Sequence, residues 1–544
     1  MEFSNINHAE SMSAAGSARI QVGNNTTNNY YQDGDEKYLV ALCSTDPRHD
    51  KIRIEQTNGG LLKDSYLWVL QNPEFQYWRD ANENHPLLWI RGDPGKGKTM
   101  LLSGIIDELK PLTRLEDSTN HTSLSYFFCQ ATNSGLNSAT VVLRGLVYLL
   151  LDQNRCLLSH VRDKPSLNPE HWNSAVSIRD VLSKILEDPS LQDTILVVDA
   201  LDECLEDLDF LLEVIISTSC PQVRWLVSSR NIYDIEQHLR QTQTKVALSL
   251  ELNAESVSQA VNHYIHHRVH QLGVKEQLRS EDLSFAETYL SQNAHGTFLW
   301  VALVCQRLER SKKWEVRKLL QHFPPGLTKL YERMMETIGR SFSHDLYKRI
   351  LAIVSTVHRP LTFSELMAIE DLSIDEDMVP EMVMECGCFL TSRDKVIYFV
   401  HQSAKDFLSK QQDELFPSGL AQHHLDLFHK SLKSLEKLKM DIYDQVYPAI
   451  SVENALLSRP EPDPLSGLAY SCRFWAHHLR DSHTICTQDQ SDYNKAHHFI
   501  AGKFLFWLEA LSLCRILPAA METLQILEDL PLELISPVVF NSNL

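Results

Sequence analysis

Glycine is scarce in this 544-residue chain, at 19, and proline is modest, at 21. That excludes collagen-like and low-complexity chains and disfavours a turn-dense β architecture. The eleven cysteines are scattered from Cys43 to Cys514 without a compact spacing, so no disulfide framework is expected and a reducing, cytoplasmic setting is. Long hydrophobic runs are missing too. The best candidate, Thr297 to Cys305, would cover half a bilayer at most, and Met1 to Ile20 has no basic stretch ahead of an apolar one, so no membrane span is expected. Positive charge is in deficit: 51 Lys and Arg against 71 Asp and Glu give a net charge of −20, which disfavours nucleic acid and anionic membranes as partners.

What remains, 43% hydrophobic and 22% charged residues, is the composition of a soluble chain able to build several cores. At about 150 residues per domain the length suggests three to four of them. Residues 1–36 are rich in Ser, Asn, Gly and Thr and read as a tail, and 37–80 as a helical lead-in with apolar residues at helical spacing. Residues 81–250 alternate short apolar runs with amphipathic stretches, the pattern of helices over a mostly parallel sheet. Its five expected strands are Leu87–Ile90, Leu124–Cys129, Ile195–Asp199, Val223–Ser228 and Val246–Leu250. Residues 251–340 read as a helical domain. In 341–412, helices precede strands at Cys388–Ser392 and Val396–Val400, which suggests a winged helix. Residues 413–544 are helical again.

One run carries chemistry. Gly92-Asp93-Pro94-Gly95-Lys96-Gly97-Lys98-Thr99 satisfies G-x-x-x-x-G-K-[ST] directly after a strand and before a helix expected from Met100 to Leu109. In such a loop the backbone N–H groups curl around phosphates, Lys98 reaches the β and γ groups and the Thr99 hydroxyl ligates Mg²⁺. A metal carboxylate and a water-activating group must complete it. The buried strand Ile195-Leu196-Val197-Val198 ends in Asp199, the expected Mg²⁺ partner, and Asp202 and Glu203 follow, either of which would orient or deprotonate water unless both begin a solvated acidic helix. A further strand ends in Ser228-Ser229-Arg230, where Arg230 would read the γ phosphate unless it only caps the strand.

With its Asp199-Ala200-Leu201-Asp202-Glu203 and Ser-Ser-Arg strands, the loop resembles the NACHT domain of signal-transducing NTPases such as NOD-like receptors, and in particular fungal NACHT proteins of the vegetative-incompatibility type. Supporting segments are Ser44-Thr45-Asp46-Pro47-Arg48, Gly59-Gly60-Leu61-Leu62, Gly296-Thr297-Phe298-Leu299-Trp300, Arg359-Pro360-Leu361-Thr362-Phe363, Phe399-Val400-His401-Gln402-Ser403 and Cys472-Arg473-Phe474-Trp475-Ala476-His477-His478-Leu479. The resemblance covers about residues 38 to 515. It implies a P-loop NTPase sheet followed by a helical domain, a winged helix and a helical C-terminal region. It also implies a resting state closed around ADP or GDP, with His401 touching the diphosphate, and opening with self-association on exchange for ATP or GTP. Gly296-Thr297-Phe298 stands where plant and animal relatives place a proline against the base, and the 544 residues contain no WD40 repeats, which in this family usually form the sensor.

The tail from Arg19 to Tyr31 reads as a plain linker or, alternatively, as a short amyloid-type motif that would recruit a downstream partner. His263, His266, His267 and His270 read as a solvated helix face, Cys386-Gly387-Cys388 as packing, and Lys405-Asp406 as a surface run that is not basic and so speaks against DNA. The expected function is a slow ATP- or GTP-hydrolysing signalling switch. A scaffold with a structural nucleotide, or a P-loop kinase or ATPase with a separate substrate, stays open as the alternative.

Overall fold

The computed structural model describes residues 38–529, apart from 44, 81–85, 134, 163–171, 173, 241–244, 277, 310–312, 373, 388, 445–450 and 483–489. The Asn-rich tail and the strand position expected at Cys388 therefore lie outside the described residues.

Five strands, β1 (Leu87–Arg91), β2 (Thr122–Phe128), β3 (Asp193–Asp199), β4 (Val223–Ser229) and β5 (Lys245–Ser249), form one sheet in the order β2-β3-β4-β1-β5. Every pairing is parallel. The strands are apolar almost throughout because both faces are buried: Leu88 and Ile90 of β1 enter one core, Leu87 and Trp89 the other. Helices supply those covers. With α1 as Pro47–Thr57, the main ones in this part are α2 (Lys98–Leu109), α3 (Ala139–Gln153), α4 (Ala175–Leu186), α5 (Leu208–Thr218) and α6 (Tyr233–Arg240). This is the doubly wound α/β sheet expected, and each strand lies within two residues of its expected bounds. Because β1 sits between β4 and β5, the chain leaves it in a crevice at the carboxyl edge, where open α/β sheets bind ligands.

Four longer helices follow: α7 (Ala254–Glu276), α8 (Ser280–Asn293), α9 (Phe298–Leu308) and α10 (Leu327–Gly339). Next come α11 (His344–Thr356), α12 (Phe363–Glu370) and α13 (Val379–Glu385), and then the antiparallel strands β6 (Leu390–Arg393) and β7 (Val396–Phe399). The break before α12 has a local cause. Pro360 cannot continue a helix, and Thr362 and Glu365 close a capping box in which Arg359 pairs with Glu365 at 2.6 Å. At the hairpin tip Asp394 and Lys395 both take positive φ, the twist a tight two-residue turn requires. One apolar core runs from the sheet face (Ile90, Leu102) through Val301 and Leu330 to Leu366, Ile397 and Phe407. The hairpin block is therefore packed onto the sheet by continuous apolar burial.

The helices α14 (Gln402–Lys410), α15 (Leu420–Leu435), α16 (Ala469–Asp481), α17 (Gln490–Leu513) and α18 (Ala519–Asp529) complete the described chain. The last four share a third core around Trp475 and Trp507. On α16, His478 is fully buried and wired to Tyr470 at 2.8 Å and to His424 at 2.9 Å. Among the described residues no helix is long and apolar enough to cross a membrane.

Candidate functional site: a phosphate loop under a hairpin block

The loop after β1 is shaped by two glycines at positive φ, Gly95 (76°) and Gly97 (86°), which other residues adopt only with strain. A Cβ on Gly97 would come within 2.8 Å of the Phe298 ring, and one on Gly95 within 2.9 Å of Leu299, so the start of α9 presses directly on the loop. Leu299 N–H donates to Gly95 O at 3.3 Å, and Lys96 Nζ to His295 O at 2.8 Å. Gly97→Ala should therefore cost about 1–2 kcal/mol in backbone strain alone, before Phe298 is displaced. We expect a lowered melting temperature together with weakened nucleotide binding in a titration.

The helix starts at Lys98, not at Met100 as its apolar periodicity suggested, because the positive φ of Gly97 ends the loop at that residue. Lys98 and Thr99 thus occupy the first turn, where backbone N–H groups have no helical partner and the dipole is positive. Lys98 Nζ donates to two loop carbonyls, Gly92 O at 2.6 Å and Asp93 O at 3.1 Å. Burial pulls the Lys98 pKa down, against the through-space pull of Asp202 and Asp199. Among the described residues the hydrogen-bond partners of this buried ammonium are neutral carbonyls, which fits a polyphosphate, whose oxygens would pair with it directly. Asp93 N–H is held by Glu251 Oε1 at 2.7 Å, a contact that joins the loop to the end of β5.

Asp199 ends β3 with only 2% of its surface exposed. Burial raises its pKa, while hydrogen bonds from Ser228 and Thr99 and the charge of Lys98 act the other way. A carboxylate beside the loop threonine is the donor set that Mg²⁺ takes together with phosphate oxygens and water. Thr99 and Asp199 are the residues that would hold the ion, and it would neutralise charge on the terminal phosphates.

Asp202 and Glu203 lie on a single 3-10 turn, Leu201–Glu203, rather than on a solvated acidic helix. They differ in partner. Asp202, its side chain 2% exposed, is gripped by Arg230 through the backbone N–H at 2.9 Å and Nε at 2.5 Å. Among the described residues Glu203 accepts only the Ala131 N–H, at 3.0 Å, and burial followed by the charge of Asp202 pushes its pKa up to about 8. Arg230 spans the crevice, since its Nη1 also pairs with Asp406 of α14. Burial alone works against its charge, but the two carboxylates overcome this and keep its pKa above the ordinary value. Asp406 is therefore not a solvated charge on a surface run; it is paired with Arg230, which lines the cavity.

His401 caps α14, its Nδ1 accepting the Ser403 N–H at 3.0 Å, which leaves Nε2 to carry the ring proton. Burial, then Lys98 and Arg230, lower its pKa to about 4, so the ring is neutral at pH 7. A cavity of about 740 Å³ is lined by Pro94 to Met100 of the loop, by Asp199, Asp202, Glu203 and Arg230, and by His401. Its apolar part is made by Leu61, Leu250, Val257, Tyr264 and Phe298. Gly92 and Asp93 stand at the loop's entrance, where Gly92 packs against Leu250. Gln130 lines the cavity as well, while Ser228 bonds to Asp199, Glu251 to the Asp93 N–H and Asp406 to Arg230. The sequence marks none of these four as a site residue: Ser228 stands inside the Ser-Ser-Arg strand, and Asp406 reads as part of a surface run.

Residues 64–230 match the family described as Nephrocystin 3, N-terminal, and residues 257–321 a domain of unknown function. Over 532 residues the chain is 46% identical to the vegetative incompatibility protein HET-E-1 of Podospora anserina. Residues 64–230 are a NACHT-type P-loop domain, similar to that of the fungal relative. The alignment covers 91% of this chain but 38% of the relative, so the chain spans well under half of that protein's length. Among solved structures, a Walker-type ATPase of Pyrococcus abyssi is 12% identical, covering 62% of this chain and 93% of that one at a TM-score of 0.30. The ORC1 protein of Aeropyrum pernix, solved in complex with DNA, is 14% identical, covering 68% and 96% at 0.26. Both likenesses are faint.

Proposed function

We propose that this NACHT chain is a nucleotide-operated switch in incompatibility-type signalling, closed around ADP or GDP and opened by Mg²⁺ with ATP or GTP. The observation that carries the reading is that Arg230, at the end of a sheet strand, bonds simultaneously to Asp202 beside the phosphate loop and to Asp406 on the helix after the hairpin. A phosphate arriving at the γ position would compete with Asp406 for that guanidinium. Nucleotide state would then be felt by the hairpin block, here read as a winged helix, and self-association would follow its release. His401 would donate its Nε2 proton to the diphosphate in the closed form. Chromatography of the nucleotide released on denaturing the purified protein tests this directly: a bound diphosphate supports it, and a chain that neither carries nor takes up a nucleotide refutes it.

Hydrolysis is read as slow. Both exits of Arg230 are occupied by carboxylates, so in this closed form it is not available as an arginine finger, a group worth roughly 10³–10⁵ in rate where it operates. Glu203 is the general base in this reading and works only when ionised. With its pKa raised to about 8 it is mostly protonated at neutral pH, so the rate should climb about tenfold per pH unit from acid and level off near that value. Phosphate release from the full chain between pH 6 and 9 checks this, with Glu203→Gln expected to be slow and flat across the range. A rising limb that survives in Glu203→Gln would assign the proton elsewhere.

A further inference from the structure

The loop leaving β2 runs beside the acidic edge of the site. Phe128 pairs in register with Asp199, Cys129 N–H donates to Asp199 O at 3.1 Å, and Ala131 N–H donates to Glu203 Oε2 at 3.0 Å. Gln130 stands between these two backbone contacts. Its own N–H is tied to Leu136 O at 3.0 Å, and its side chain lines the same cavity as Glu203 and Lys98. Across the cavity wall, Arg53 of α1 donates Nη2 to Gln130 Oε1 at 3.1 Å, and Asp50 holds that same Nη2 at 2.9 Å. A guanidinium has donors only, so the carboxamide must turn its oxygen to Arg53 and its NH₂ group away from it. The orientation of Gln130 is thus set by a residue 77 positions away in sequence.

We propose that Gln130 positions the water that attacks the terminal phosphate, with Arg53 as the positioning residue that keeps its amide nitrogen turned to that water. This rests on the hydrolytic reading of the site. A water molecule has two protons and two lone pairs. In the step, one lone pair forms the new P–O bond. The bond from phosphorus to the bridging oxygen breaks, and its electron pair leaves with the diphosphate. One proton passes to the Glu203 carboxylate, and the second lone pair accepts a hydrogen bond from Gln130 Nε2. Glu203 alone fixes the direction of one O–H bond and leaves the water free to rotate about it. A second contact on the oxygen removes that freedom and aims the attacking pair, and misplacement of a reacting atom by about 1 Å costs on the order of 100-fold.

The test uses the full chain and reads nucleotide affinity and single-turnover phosphate release separately, at pH 7 and at pH 9. Gln130→Ala is expected to lower the release rate about 10- to 100-fold with affinity unchanged. Gln130→Glu keeps an acceptor for Arg53 but has no NH₂ group, so it should be as slow as Gln130→Ala, including at pH 9 where Glu203 is ionised. Arg53→Ala should slow the wild-type background but add little to Gln130→Ala. Wild-type rate in Gln130→Glu, or full additivity of Arg53→Ala with Gln130→Ala, overturns the proposal, as does a parallel loss of affinity and rate, which would mark a structural role. A wild-type chain that binds nucleotide and never releases phosphate overturns the hydrolytic reading and this proposal with it; a wild-type chain that turns over beside an equally fast Gln130→Ala overturns this proposal alone.

Discussion

Lys98→Ala is expected to abolish tight binding of a nucleoside triphosphate while leaving the chain folded. The two halves of this expectation have one cause. In the structure the Lys98 ammonium is buried, held by the carbonyls of Gly92 and Asp93 and pulled towards deprotonation by that burial. Removing it relieves a desolvated charge, so the melting temperature without nucleotide should not fall. With a triphosphate in the loop the same ammonium becomes one half of a desolvated charge pair. Truncating one partner of such a pair costs about 2–5 kcal/mol, or roughly 30- to several-thousand-fold in Kd. A calorimetric titration beside a thermal melt reads both halves. Unchanged affinity would mean that the β and γ phosphates do not lie where the loop points.

Asp406→Asn is expected to loosen the closed form and move the protein towards larger species on size exclusion when triphosphate is present. Arg230 and Asp406 are 176 residues apart, and their pairing ties the first turns of α14 to the strand end of the sheet. Both side chains are about a quarter to a third exposed, so solvent screens part of the attraction. A buried pair broken on one side costs about 3–5 kcal/mol, and with that screening about 1–3 kcal/mol is the expected loss. That shifts a closed–open equilibrium by roughly 5- to 150-fold. The substitution keeps size and shape and also leaves Gln402 its partner oxygen at Asp406 Oδ1, so packing should survive. Adding Lys98→Ala should return the double variant to the smaller species, because no γ phosphate would remain to draw Arg230 away. An Asp406→Asn chain that elutes like wild type with triphosphate bound would remove the latch from the account.

The phosphate loop and its strand were readable because everything that specifies them is local. Eight consecutive residues set the turn, and a strand buried on both faces shows an unbroken apolar run. The same holds for Asp199, whose position follows from the end of such a run. Asp202 and Glu203 were legible as acids but not as different acids. Only the fold gives Asp202 an arginine and, among the described residues, leaves Glu203 with one backbone N–H and a desolvating surround, which is what separates an ion-paired carboxylate from one with a pKa near 8. Asp406 looked like part of an exposed charge run because its partner comes from another layer of the fold, and Gln130 carried no signal at all.

By itself the sequence determined the parallel sheet, the phosphate loop at its switch point and the order of sheet, helices and hairpin, because periodicity, glycine at positive φ and capping residues act within a few positions along the chain. Tertiary structure alone decided which charges meet in the crevice. Arg230 with Asp406, Arg53 with Gln130 and Glu251 with Asp93 are brought together when the continuous apolar core packs the hairpin block and the helical lead-in against the sheet. Electrostatics at such short range depends on distance and burial, and neither quantity is written in the order of residues.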